Sequence, residues 1–293
     1  MARNRRIRFF IELTIFRFVS FGVALMPRSL VLAFGAGLGR LSWLLFSKRR
    51  CKAEENMRQA LDEMPAQQVR SEVLKMFVHL GVVGMELLML KRFHDEPDLA
   101  RYFDFEGLDN LRRAHARGKG VLLLTGHLGF WEAGTFFLPK LGFPTAFIAK
   151  KMKNPRMDEF ITHTRELSGG EVIDAKRGAR RIIRALGEGK VVCVLPDQDN
   201  RDGEAVEFFG RPARTTTMVA QLALKTGAAV VPGFTLRTPD NRYRSYFEPE
   251  LEFPEKEGPG AAIVNTRLVN QALETAIRKA PAQWFWLHNR WRL

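Results

Sequence analysis

The sequence predicts an α/β protein, with a mixed, mostly parallel central sheet flanked by helices and preceded by N-terminal membrane-associated helices. Three observations carry this. Short aliphatic runs at 121–125 and 191–195 are bounded by glycine, proline or charge and read as strands buried on both faces. Between such runs lie segments with apolar residues at helical spacing, and strands alternating with helices imply a sheet covered on both sides. The first 50 residues are different: two long apolar stretches edged with arginine and lysine.

Arg3, Arg5, Arg6 and Arg8 precede the first stretch, 9–26, which is interrupted by Glu12 and Arg17 and broken by Pro27. The second, 30–46, is interrupted by Arg40 and closes on Lys48, Arg49 and Arg50. A clean spanning helix needs roughly 20 mostly apolar residues, and neither stretch reaches that without admitting charge. No small-residue cleavage site follows a clean apolar core, as a secretory signal would require. The expectation is an anchor over residues 1–50, a shallow hairpin with both basic ends on the cytoplasmic side, either spanning the membrane or lying in its interface. An ordinary pair of core helices is the alternative. Residues 51–293 then form the catalytic domain.

In that domain, 54–61 and 66–91 read as helices, the second from Val69, Val73, Phe77, Leu80, Val83 and Leu87 at helical spacing. After the break at Pro97 the alternation begins. Strands are expected at 102–105, 121–125, 145–149 and 191–195. Further strands are expected at 229–231 with 234–236, and pieces at 243–247 and 250–253. Helices are expected at 110–117, 132–141, 157–167, 177–186, 217–225 and 263–278, most of them stopped by a glycine.

The chain of 293 residues can bury one large core or two modest ones. Its net charge of +14 calls for a polyanionic partner: nucleic acid, anionic lipid or an acidic carrier. With three tyrosines, 23 phenylalanines and no RNP, zinc-finger or basic-zipper pattern, the composition suits a greasy surface better than base stacking, and no nucleic-acid partner is expected. Cys51 and Cys193 form no CxxC and no zinc-ligand spacing, so no metal is expected, and Cys193 reads as a small core residue.

The chemistry concentrates at Leu124-Thr125-Gly126-His127-Leu128-Gly129-Phe130-Trp131-Glu132. A histidine follows a buried strand directly, with glycines to allow a tight turn. Glu132 comes five positions later. Five residues on one helix turn roughly 500°, so the two would not share a face; with His127 in the turn and Glu132 in the first helical turn they can meet. The carboxylate would then set the imidazole tautomer, and the other ring nitrogen would take a proton from a hydroxyl. No Gly-x-Ser-x-Gly is present, which disfavours a serine hydrolase.

His-x4-Glu alone is weak, but this stretch resembles the HX4(D/E) block of the glycerolipid and lipid A acyltransferases, and three further blocks follow in order. Phe147-Ile148-Ala149-Lys150-Lys151 resembles the second, Leu195-Pro196-Asp197-Gln198-Asp199 the third and Val230-Val231-Pro232 the fourth. The closer resemblance is to the late lipid A acyltransferases, which add secondary acyl chains. It extends over nearly the whole chain after the anchor. It includes Asn56-Met57, Gly84-Met85-Glu86-Leu87, Gly107-Leu108-Asp109-Asn110 and the run from Val206 to Ala213. It continues through Leu222-Ala223, Thr226-Gly227-Ala228 and Trp286-Leu287-His288-Asn289-Arg290-Trp291. Phe130 departs from the pattern, which has Asn there.

The resemblance implies an acyltransferase on the cytoplasmic face of a bacterial inner membrane. It would move a fatty acyl chain from an acyl carrier protein or coenzyme A thioester to a hydroxyl of a lipid A precursor, with no other cofactor. His127 would be the general base, Glu132 its orienting partner, and backbone N–H groups after Gly129 the oxyanion donors. Lys150, Lys151, Arg165, Asp197 and Gln198 would bind substrate, Arg165 through a phosphate or the carrier. Arg177, Arg180, Arg181 and Arg184 form a basic helix suited to an acidic carrier or lipid headgroups. Phe208-Phe209-Gly210 reads as a turn, with lining of an acyl channel by its phenylalanines as the alternative, and His288 as packed among Trp284, Trp286 and Trp291. A lysophospholipid or phosphatidylinositol-mannoside acyltransferase would use the same blocks. A non-enzymatic basic protein binding membrane or nucleic acid would account for the charge but not for the ordered blocks.

Overall fold

A computed structural model describes residues 2–176, 178–258 and 260–292, with the backbone alone for residues 2–5. The two apolar stretches are helices, α1 (Ala2–Leu25) and α2 (Arg28–Leu45), separated at Pro27. A proline lacks the N–H that would continue α1 but is well placed to start a new helix. α3 (Ser47–Ala60) leaves α2 at 93°, and α4 (Ala66–Leu88) and α5 (Leu90–Asp95) complete the helical N-terminal region.

The alternation follows as read. In chain order come β1 (Phe103–Glu106), α6 (Leu108–Ala116), β2 (Val121–Leu124), α7 (Gly134–Lys140), β3 (Thr145–Ala149) and α8 (Pro155–Glu166). Then come β4 (Glu171–Asp174), α9 (Ala179–Gly187), β5 (Val191–Val194), β6 (Glu204–Phe208) and β7 (Arg211–Thr215). Last are α10 (Met218–Thr226), β8 (Ala229–Arg237), β9 (Tyr243–Phe247) and α11 (Ala261–Lys279). Seven strands form one sheet in the order β1-β9-β8-β2-β5-β3-β4. β8, β2, β5, β3 and β4 run parallel, and β9 turns back against β8 with β1 parallel to it. β6 and β7 form a separate antiparallel hairpin closed by Phe209 and Gly210, both at positive φ, so Phe208-Phe209-Gly210 is a turn, with Phe208 packed on Trp284 and Trp291.

β2 and β5 lie at the centre and are buried at every position. Their side chains alternate between two apolar layers. Leu122, Leu124, Val192 and Val194 face the layer built with α9, α10 and α11, while Val121, Leu123, Val191 and Cys193 face the layer that holds the phenylalanines of α5 and α7. Four differences from the sequence reading concern the strands. β4, β6 and β7 carry charge at alternate or flanking positions and escape an apolar-run criterion, whereas 250–253, expected as a strand, is irregular and joins the sheet by a single Leu251 N–H to Val230 carbonyl bond.

α2 lies along α4 closely enough for their backbones to touch. A Cβ added at Gly39 would fall inside the contact radius of the Phe77 carbonyl oxygen, and one at Gly81 inside that of the Gly35 oxygen. The outer faces of α1 and α2 are bare. Of the twenty large apolar side chains exposed among the described residues, sixteen lie between Ile7 and Phe46, so the apolar surface of the protein is concentrated on these two helices. No single described helix is long and apolar enough to cross a membrane; α2 and α3 reach that composition only as a bent pair.

The α2–α4 contact gives the first prediction. Gly39→Val should cost about 1–3 kcal/mol, the usual range for overpacking, seen as a lower melting temperature. Gly37→Ala on the same helix, where an added Cβ meets nothing within 4 Å, should not lower it.

Candidate active site

The site is built where the two central strands end. β2 and β5 are paired in parallel with Leu124 opposite Val194, and Thr125 N–H extends the ladder to the Val194 carbonyl. Three residues past Leu124 stands His127; three residues past Val194 stands Asp197. The equal offset brings both to the carboxyl edge of the sheet, the edge at which open α/β sheets hold ligands.

Asp197 is buried, 1% exposed, and all its described bonds are to charged or polar donors. Oδ1 accepts from His127 Nδ1 at 2.9 Å. Oδ2 accepts from the His127 backbone N–H and from Trp284 Nε1–H, each at 2.8 Å. Burial alone would raise the Asp197 pKa, but the facing imidazole and these three bonds lower it below the ordinary value. Burial likewise works against the imidazolium of His127, and the Asp197 carboxylate outweighs it and holds the His127 pKa above 6.5. With Nδ1 turned to Asp197, Nε2 is the nitrogen left for the adjoining cavity.

The turn that carries His127 is held from several sides. Gly129 adopts φ +62°, where a Cβ would strike the Thr235 carbonyl. Gly129 N–H donates to the Gln283 carbonyl, Phe130 N–H to that of Thr235, and Phe285 N–H to that of His127. From α4, His79 Nε2 donates to the Gly129 carbonyl at 3.2 Å. Burial first, and Arg237 second, push the His79 pKa down to about 3, so this ring is neutral. The Gly129 and Phe130 N–H groups are therefore engaged in the fold, and of the N–H groups expected after Gly129 to serve an oxyanion, that of Phe130 is already taken.

Glu132 does not touch His127. It sits in a single 3₁₀ turn, Trp131–Ala133, and its carboxylate faces α8, where Arg165 donates from Nε at 2.9 Å and from Nη2 at 2.5 Å. The expected His127–Glu132 bond is replaced by two others, Asp197 with His127 and Arg165 with Glu132. The reason is directional: Nδ1 of His127 points along the sheet edge towards β5, and Glu132 has already passed to the α8 side of the turn. Asp197, expected as a substrate ligand, has both oxygens committed to partners within the protein, while Arg165 pairs with Glu132 through Nε and Nη2 at the cavity wall.

His127, Trp131, Glu132, Arg165, Lys150 and Gln198 line the polar end of a cavity of about 650 Å³. Its far end runs between the sheet and α7 along Leu123, Phe137, Phe147, Cys193 and Phe247. Lys150 is exposed at the rim. Lys151 lies further out, 71% exposed and 3.8 Å from Asp174. In the basic helix Arg181 pairs with Glu171 and Arg184 with Glu188; Arg177 lies outside the described residues. His288 is half-buried, and its Nδ1 accepts from the Asp199 N–H. Phe130 is fully buried against Phe93, Phe136 and Tyr243, so an aromatic cluster occupies the place where the family pattern has a polar residue. Three contributors escaped the sequence reading, namely Trp284, His79 and Gln283; only the tryptophan-rich C-terminal segment gave a signal, and it was read as packing.

A buried carboxylate on one ring nitrogen and a cavity on the other suit an imidazole to accept and return a proton. The comparisons agree with that capability. The model of the bacterial lipid A biosynthesis acyltransferase family matches residues 3–293. The chain is 32% identical over 278 residues to the lipid A biosynthesis lauroyltransferase of Escherichia coli (strain K12), covering 92% of this chain and 88% of that protein. It is 26% identical over 273 residues to the lipid A biosynthesis palmitoleoyltransferase of the same strain, covering 91% and 86%. A phosphatidylinositol mannoside acyltransferase of Mycobacterium tuberculosis (strain ATCC 25618 / H37Rv) is 36% identical over 142 residues, 46% of this chain and 45% of that protein.

Removing one side of the Glu132–Arg165 pair leaves a largely buried charge without its partner. Glu132→Leu should cost about 3 kcal/mol, and the double variant Glu132→Leu/Arg165→Met should recover much of it. Denaturant titration of the two proteins checks this; equal losses would mean that the pair contributes nothing as a pair.

Proposed function

The chain belongs to the bacterial lipid A biosynthesis acyltransferase family and is an acyltransferase, and we propose that it moves a fatty acyl group from an acyl thioester to a hydroxyl of a lipid A precursor, with His127 as general base and Asp197 as its partner. One observation supports this above the others. The Asp197–His127 pair presents its other nitrogen to a cavity whose interior is apolar and whose mouth is cationic. The acyl chain of a thioester fits the interior, and a hydroxyl at the mouth comes within reach of Nε2.

The reaction balances within these groups. Nε2 takes the acceptor's hydroxyl proton as the oxygen attacks the thioester carbonyl, and Asp197 stabilises the imidazolium that results. The tetrahedral intermediate collapses with loss of the C–S bond, and the proton on Nε2 passes to the leaving thiolate. Arg165 and Gln198 supply side-chain donors along the wall near the developing oxyanion. The donor is the thioester of an acyl carrier protein or coenzyme A, and the chemistry uses no further cofactor. The lipid A assignment follows the relatives matched over nine-tenths of this chain, whereas those named for phosphatidylinositol mannoside match under half of it or over a shorter span.

The bare apolar faces of α1 and α2 support a further part of the reading, an anchor lying in the membrane interface with the active site at the cytoplasmic surface of the inner membrane. Such helices bind by burying their apolar face at the boundary between headgroups and acyl chains.

Two outcomes are expected. His127→Ala should lose roughly 10² to 10⁴ in kcat with either thioester, the range for a positioned base, and a folded variant with undiminished transfer would remove His127 from the mechanism. Phe18→Ser/Phe21→Ser/Leu25→Ser, changing three exposed side chains, should release the protein from vesicles in a flotation assay without lowering its melting temperature. Unchanged flotation would place the anchor on another surface.

A further inference from the structure

We propose that Trp284 is a positioning residue: acting through Asp197, its indole N–H limits how firmly His127 holds a proton. Its importance for the reaction rests on the reading of His127 as general base. Trp284 is buried and lies outside the wall of the catalytic cavity, so its influence passes through Asp197. The two oxygens of that carboxylate are served unequally. Oδ1 accepts from the imidazole Nδ1, while Oδ2 accepts from two donors, the His127 backbone N–H and Trp284 Nε1–H, each at 2.8 Å. Any residue at position 127 other than proline would supply the backbone donor; the indole is a donor that one particular side chain adds. Donors on one oxygen draw charge away from the other, so the bond from Trp284 weakens the hold of the carboxylate on the imidazolium. Without it the ring would stay protonated, and unable to accept a proton, to higher pH.

The C-terminal segment is held in place by other means. Gly129 N–H donates to the Gln283 carbonyl and Phe285 N–H to the His127 carbonyl, so the backbone on both sides of Trp284 is bonded to the backbone on both sides of Leu128. The Gln283 side chain exchanges two further bonds with the Arg237 backbone, each at 2.9 Å. Apolar packing holds the ring itself, whose centroid lies 4.6 Å from that of Trp286 and 5.8 Å from that of Phe208. A phenyl ring would keep most of these contacts. What tryptophan supplies beyond phenylalanine is the N–H, and it is aimed at the carboxylate that faces the base.

Charged and titratable neighbours set the background. Glu132 acts on His127 in the same sense as Asp197, but it is already paired with Arg165. From the C-terminal segment come Arg290, fully buried and stacked on Phe208, and His288, whose pKa burial holds below its ordinary value. Both interact with Asp197 and with Asp199, and His288 also with His127. Trp284 carries no charge, so replacing it alters the field at His127 without altering the number of charges around it.

The test follows the imidazole directly. The full chain in detergent micelles, with isotope-labelled histidine, is titrated by NMR, and the ring resonance of His127 is assigned by its loss in His127→Gln. Trp284→Phe should raise the midpoint of that titration by about 0.5 pH unit or more, since a hydrogen bond to the ionised carboxylate is lost. Trp286→Phe removes from the same aromatic cluster an indole N–H that donates to the Pro281 carbonyl, and it should leave the midpoint in place. A midpoint that stays put in Trp284→Phe overturns the proposal, because the indole would then serve packing alone. A midpoint that falls overturns it also, because the indole would then merely hold the carboxylate against the ring. A second measurement needs no substitution at Trp284: in the unaltered protein its indole N–H resonance, assigned through its proximity to the His127 ring, should shift with the His127 midpoint. An indole resonance indifferent to that titration contradicts the proposal even where Trp284→Phe does not fold. The pH dependence of kcat/KM with one thioester donor, measured alongside, should move upward with the NMR midpoint. An NMR midpoint that rises without kcat/KM following it supports the role of Trp284 and removes His127 as the base, so the two readings fail separately.

Discussion

A single buried carboxylate, Asp197, joins the parts of this protein that must meet for chemistry to occur. An isolated charge in such a place is strongly unfavourable, and it persists only where donors surround it. Here the donors come from separate parts of the chain: the ring and backbone N–H of His127, at the end of β2, and the indole of Trp284, after α11. The strand pairing of β2 with β5 sets the spacing, the C-terminal segment closes over it, and the carboxylate in turn fixes which nitrogen of His127 is left for the cavity. Each group satisfies another, so the site is also a junction of the fold.

A second junction ties that site to the N-terminal helices. α4 packs on α2 through glycines on one side and reaches the catalytic turn through His79 on the other. Two turns further along α4, the fully buried Glu86 accepts from Arg28 at the start of α2, from Arg237 of β8 and from the Tyr243 hydroxyl of β9. The apolar face and the catalytic edge are thus presented by one rigid unit.

What could be read beforehand follows from what each feature depends on. β2 and β5 are legible because central parallel strands are apolar at every position, and His127 is legible because glycines and a strand end surround it. Glu132 was read as the partner of His127 because five residues of separation is a local property. The actual partner lies 70 residues away and becomes visible only once β2 and β5 are known to be neighbours in register. The same holds for Arg165 and Glu132, joined across 33 residues. β4 and the β6–β7 hairpin were missed because edge and hairpin strands tolerate charge, and the two N-terminal apolar stretches were legible as a pair of helices because Pro27 separates them.

The central claim is that Asp197, and not Glu132, sets the protonation of His127. A base must be neutral to act, so a pKa held above 6.5 delays the rise of kcat/KM to higher pH. Replacing Asp197 by Asn removes the charge that stabilises the imidazolium, and the rise should then begin at lower pH, with a lower plateau because the amide no longer favours the productive tautomer. The measurement is the pH dependence of kcat/KM for the unaltered enzyme, Asp197→Asn and Glu132→Gln with one thioester donor. The account predicts a clear downward displacement of the midpoint in Asp197→Asn and a smaller one in Glu132→Gln, whose carboxylate acts on the imidazole only from a distance. A midpoint that stays in place in Asp197→Asn and falls in Glu132→Gln would contradict it.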